Sequence, residues 1–168
     1  MNKSFWTLRI IWLGGVVALL SWLTWQWLVP RGVWQTTRVF PGSDRRISEL
    51  FPAERIADAK TILVEPVYFQ VRVPQELKTA EVALTYENPG RLTWRLGVRE
   101  QLNAWQWRLV EPATTKKLED GRLLSVLSLP LSGIVLDKGS YAFILSVPEL
   151  GDKGGRFTVE ELQIIFKK

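Results

Sequence analysis

The stretch EVALTYENPGRLTWRLGVR, Glu81 to Arg99, decides the fold. Val82, Leu84 and Tyr86 alternate with Glu81, Ala83, Thr85 and Glu87. Leu92, Trp94, Leu96 and Val98 then alternate with Arg91, Thr93, Arg95 and Arg99. A period of two is the mark of strands with one buried face, because successive side chains leave a strand on opposite sides. Between the runs, Asn88-Pro89-Gly90 suits a type II turn, with glycine taking the positive φ, so two neighbouring strands are predicted.

The pattern extends in both directions. Upstream, Val67, Phe69, Val71 and Val73 alternate with Tyr68, Gln70 and Arg72. Downstream, Asp120-Gly121 lies between Lys116-Leu118 and Arg122-Leu127 as a two-residue hairpin signal. Strands Tyr141 to Val147 and Phe157 to Phe166 flank the glycine-rich loop Gly151 to Gly155. The expected fold is mainly β: a jelly-roll-like antiparallel β-sandwich of about eight or nine strands over residues 62–168. Its predicted core is Phe69, Val71, Leu84, Tyr86, Trp94, Leu96, Trp107, Leu109, Phe143, Leu145, Leu162 and Ile164.

Ahead of the sandwich, residues 30–61 alternate breakers with short apolar pieces and read as a juxtamembrane spacer. Ser43 would cap a short helix from Asp44 to Leu50, which must end near Phe51 because Pro52 follows. Further back, IIWLGGVVALLSWLTWQWLV, Ile10 to Val29, carries no charge. A helix of that length covers the roughly 30 Å hydrocarbon core of a bilayer. Trp6 and Trp12 near one end, and Trp25 and Trp27 near the other, suit the polar boundary. Gly14, Ala18 and Ser21 form a small-residue face able to pack on another membrane helix.

A cleaved signal peptide is the competing reading, but no small-x-small site follows the run, so an uncleaved signal-anchor is expected. Residues 1–9 then form a cytoplasmic tail, and the C-terminal domain lies outside the cytoplasm of a single-pass cell-membrane protein. Flanking charge does not favour that direction, since Arg31, Arg38, Arg45 and Arg46 follow the helix. The expectation rests on long domains translocating largely regardless of charge.

Composition removes most chemistry. The chain has no cysteine and no histidine, so it lacks thiolate nucleophiles, thiolate metal sites and the usual general base. No phosphate-binding glycine loop or Gly-x-Ser-x-Gly elbow is present. Asp120, Asp137 and Asp152 lack calcium-loop spacing. The net charge of +5 includes Lys3 and Arg9 ahead of the apolar run, and no basic stripe calls for nucleic acid. The chain is read as a non-enzyme with no cofactor and no metal. Its partners are the lipid bilayer and either a cell-surface glycan or an envelope protein.

Two groups of residues are candidates for binding. Arg91, Arg95 and Arg99 share the polar face of one run, and Arg108 would join them if Trp105 to Val110 forms the next strand. Such a row would grip anionic sugars, phosphates or carboxylates. The competing account pairs these arginines with glutamates on adjacent strands. Trp105 and Trp107 share a face and would make a flat platform for pyranose rings, against a competing role in the core.

The strand Tyr141-Ala142-Phe143-Ile144-Leu145 followed by Phe157 to Phe166 resembles the last strands of jelly-roll carbohydrate-binding modules. Glu65-Pro66-Val67-Tyr68-Phe69 and Tyr86-Glu87-Asn88-Pro89 resemble segments of bacterial membrane-anchored surface proteins. The resemblance implies a surface β-sandwich that binds or scaffolds, and it assigns no residue a role. The leading expectation is an anchored, noncatalytic module binding an envelope ligand such as polysaccharide. The alternative is a structural subunit of an envelope, secretion or pilus-related complex.

Overall fold

The computed structural model describes residues 3–28, 33–101, 105–153 and 155–168, with side chains described at 12–24, 33–101, 105–151 and 155–168. Two compact units divide the chain, Met1–Val33 and Trp34–Lys168.

The first unit is helix α1, Lys3–Leu28. Every described side chain on it is exposed, including Trp12 at 72% and Trp22 at 57%. No atom stands within 4 Å of where a Cβ at Gly14 would be, and Ala18 and Ser21 are likewise open. Trp6, Trp25 and Trp27 lie outside the residues whose side chains are described. Among the described residues no helix is long and apolar enough to cross a membrane. The stretch with described side chains, residues 12–24, is shorter than the roughly 18–20 residues a crossing requires, and both ends of the Ile10 to Val29 run fall outside it.

The second unit is mainly β, with eleven strands among the described residues: β1 Val33–Val39, β2 Ile56–Ala57, β3 Thr61–Ile62, β4 Val67–Arg72, β5 Thr79–Glu87, β6 Arg95–Arg99, β7 Trp107–Val110, β8 Thr114–Lys117, β9 Leu123–Pro130, β10 Ser140–Ser146 and β11 Phe157–Lys167. One sheet runs β2-β3-β11-β5-β9-β8, with β1 also on β11; the other runs β4-β10-β6-β7. All the registered pairs are antiparallel.

Alternation decides which residues fill the space between the sheets. From the larger sheet come Val82, Leu84, Tyr86, Leu127, Leu129, Phe157, Leu162, Ile164 and Phe166; from the smaller come Val67, Phe69, Val71, Leu96, Val98, Tyr141, Phe143 and Leu145. Phe69 stacks on Phe143 with ring centroids 5.1 Å apart, and Tyr86 on Phe157 at 4.8 Å. Buried phenols have partners. Tyr141 Oη accepts from Leu77 N at 3.0 Å, and burial raises its pKa above the ordinary tyrosine value.

Five features depart from the sequence reading. Asn88-Pro89-Gly90 does not make a hairpin, since β5 and β6 belong to different sheets. The positive φ there falls on Arg91, at 51°, and the Asn88 amide bonds both backbone groups of Leu92 to hold the crossover. The β8–β9 turn is one residue longer than expected: Leu118 N donates to Arg122 O, leaving Glu119 to Gly121 as a three-residue loop with Gly121 at φ 90°.

Residues 33–61, within the stretch 30–61 expected as spacer, contribute to the sandwich. Phe40, Ile47 and Leu50 are buried in its core. In place of a helix from Asp44 to Leu50, the chain is extended, and Ile47 and Phe51 bridge to Val71 and Tyr68. The Arg38 guanidinium folds this loop back by donating to the carbonyls of Ile47 and Gly42, each at 2.6 Å. Finally, Trp107 and Leu109 are not core residues; Leu109 is 43% exposed.

Candidate functional site

The departure at Trp107 and Leu109 follows from register. Arg99 pairs with Trp107, Gly97 with Leu109 and Val98 with Arg108. Opposed residues share a face, and Val98 is in the core. Trp107 and Leu109 therefore stand on the outer face of the smaller sheet with Arg95, Gly97 and Arg99. Arg108 points the other way.

On that outer face β4 presents Tyr68, Gln70 and Arg72, and β10 presents Ala142 and Ile144. Two strands separate β4 from β7, yet Tyr68 and Trp107 are in ring contact, with centroids 5.5 Å apart and planes at 32°. Phe51, bridged to Tyr68, continues the line at 5.7 Å and 33°. Small residues make room for it. A Cβ on Gly97 would stand 2.7 Å from Leu109 Cδ2, 2.9 Å from Arg108 O and 2.9 Å from Ile144 Cγ2, so only glycine lets Leu109 and Ile144 meet over β6.

The result is an aromatic line, Phe51-Tyr68-Trp107, lying across the sheet. Phe51 is exposed, Tyr68 and Trp107 are half-buried, and the Tyr68 hydroxyl has no hydrogen-bond partner among the described residues. Trp105, at the approach to β7, is 81% exposed. Chemically this face offers apolar ring surface beside polar edges. Among the described residues no group of carboxylates could hold a metal ion.

The four arginines do not form one row. Arg95 bonds Glu111 at 3.0 Å and Arg99 bonds Asp137 at 2.9 Å, so these two share the outer face but are engaged by carboxylates. Arg108 bonds Glu100 at 2.8 Å and donates to the Pro130 carbonyl at 2.9 Å, tying β7 to β9 of the other sheet. Arg91 sits in the β5–β6 crossover beside the β8–β9 turn, in a hollow lined also by Asp120 and Lys117. There Asp120 is held below the usual carboxylate range by its hydrogen bond from Arg122.

Sequence reasoning missed Phe51 and Tyr68. Tyr68 carried a signal, being an aromatic on the solvent phase of a strand whose other phase is Val67, Phe69 and Val71. Phe51 carried none, because its place depends on pairing with Tyr68.

No protein-family model matches the sequence, and no curated protein matches it. Among solved structures, that of TmCBM61 in complex with beta-1,4-galactotriose is similar at 10% identity, covering 80% of this chain and 88% of that one, with a TM-score of 0.32. This is a distant likeness between β-sandwiches, and at that score it carries no argument about ligand.

Proposed function

We propose that this protein is a membrane-anchored, noncatalytic binding module whose jelly-roll-like sandwich, held outside the cytoplasm, takes a polysaccharide of the cell envelope on the outer face of the smaller sheet. The aromatic line Phe51-Tyr68-Trp107 carries the reading. Partly exposed rings in series offer apolar surface suited to the apolar faces of pyranoses. Anchoring is supported by the uncharged run from Ile10 to Val29 and by the exposed apolar side chains among residues 12–24 of α1, which want apolar surroundings.

The full chain in mild detergent should be retained on immobilised envelope polysaccharide. Trp107→Ala should weaken retention by about tenfold or more, the loss of one good stacking contact. Unchanged retention by Trp107→Ala and Tyr68→Ala would refute the site.

A second reading, a subunit of an envelope, secretion or pilus-related assembly, is favoured by one observation. Trp105 is strongly exposed just ahead of β7, Leu109 is exposed on the outer face, and tryptophan is enriched among the hot spots of protein interfaces. Stoichiometric co-purification of another protein, lost in Trp105→Ala, would select it.

A further inference from the structure

We infer that the polysaccharide is acidic, a pyranose polymer bearing carboxylate or phosphate groups; this rests on the glycan-binding reading and names the ligand class. The outer residues of β4 run Tyr68, Gln70, Arg72, so the aromatic line and a cationic corner lie on one face, about 13 Å apart along the strand.

At that corner Arg72 N donates to Arg46 O at 2.7 Å, placing two arginines directly opposite one another, with Ser140 of β10 on the far side of Arg72. Like charges so placed destabilise a sheet. Lys138 joins them from the turn before β10. It holds a φ of 50° ahead of Gly139 at 78°, a two-residue turn in which asparagine, aspartate or glycine is usual. The Arg46 guanidinium is steadied over the Trp34 ring, 5.2 Å from its centroid.

Elsewhere in the sandwich Arg95, Arg99, Arg108 and Arg122 each bond a carboxylate. Arg45, Arg46, Arg72 and Lys138, like Arg55, Arg91 and Lys117 elsewhere, have none among the described residues, and these four stand together. They line a cleft of about 470 Å³ with Ser48 and Gln70. Two carboxylates also line it: Asp137 is paired with Arg99, and Asp44 Oδ1 accepts from the backbone N–H groups of Arg46 and Ile47, so within the cleft the cations outnumber the carboxylates.

An excess of cations around one cleft suits an anion from outside the protein. A lipid headgroup would fill the cleft alone and leave the rings unused. A polymer with sugar faces and regular acidic groups engages both ends of the face.

The test uses the full chain in nonionic detergent on immobilised polygalacturonate, alginate and phosphomannan, each beside its uncharged counterpart, methyl-esterified or dephosphorylated. At least one acidic polymer should be held about tenfold more tightly than its counterpart, with binding that weakens in salt. The double variant Arg46→Gln/Arg72→Gln should lose that preference yet keep binding the uncharged polymer, and Arg122→Gln should behave as wild type. Equal binding of charged and uncharged forms overturns the acidic inference and leaves the glycan reading standing. No binding to any polymer overturns both, and arginine-dependent retention on phosphatidylglycerol vesicles in that case assigns the cleft to lipid. Full acidic binding by Trp107→Ala overturns the union of cleft and rings.

Discussion

Two aromatic clusters sit on opposite sides of the smaller sheet. Inside, Trp94 meets Tyr86 edge-on at 5.4 Å and Phe157 at 6.0 Å, and Tyr86 stacks on Phe157. All three are buried, and the Tyr86 hydroxyl shares a hydrogen bond of 3.0 Å with Ser125. Outside, Phe51, Tyr68 and Trp107 also touch in series but remain partly in water, and the Tyr68 hydroxyl lacks a protein partner. Residue types are the same and completion differs: the inner cluster has its contacts satisfied by the fold, whereas the outer one keeps surface and a polar edge for a ligand.

Truncation should expose this difference most sharply. Trp94→Ala leaves a cavity between the sheets and should cost about 3–5 kcal/mol in urea unfolding. Trp107→Ala should cost only about 1–2 kcal/mol, because its ring is partly solvated already. Equal losses would break the comparison by making Trp107 a structural residue.

A smaller effect is expected at Gly97→Ala, which forces a Cβ against backbone and side-chain atoms below 3 Å. Overpacking of this kind should destabilise the protein by about 1–3 kcal/mol and disturb the outer line by displacing Leu109. A melting temperature equal to wild type would show that β7 has room to shift.

The smallest effect separates the two phenols. Tyr86→Phe removes a buried hydrogen bond and should cost about 1 kcal/mol. Tyr68→Phe should leave the unfolding midpoint unchanged and alter ligand binding alone. A matching loss of stability in both variants would mean that the Tyr68 hydroxyl is engaged by the fold.

Much of the architecture can be read from local pattern. Alternation identified β4, β5, β6, β10 and β11, and with them every predicted core residue except Trp107 and Leu109. Those two misled because β7 is an edge strand with apolar residues on both phases. Shifting by one residue exchanges the faces of a whole strand, and local periodicity cannot say which phase meets the opposite sheet. The expected arginine row dispersed for related reasons: Arg91 precedes β6, and Arg108 lies on the other phase from Arg95 and Arg99.

By itself, the sequence determined that this is a β-rich chain without thiol or imidazole chemistry, led by an uncharged apolar run, because composition and periodicity are local properties. Only the tertiary structure decided the candidate site. The contacts of Phe51 with Tyr68, Tyr68 with Trp107 and Arg46 with Arg72 join residues far apart in the chain. Such neighbours arise when strands pair across the sheet, and no stretch of sequence records its distant partner.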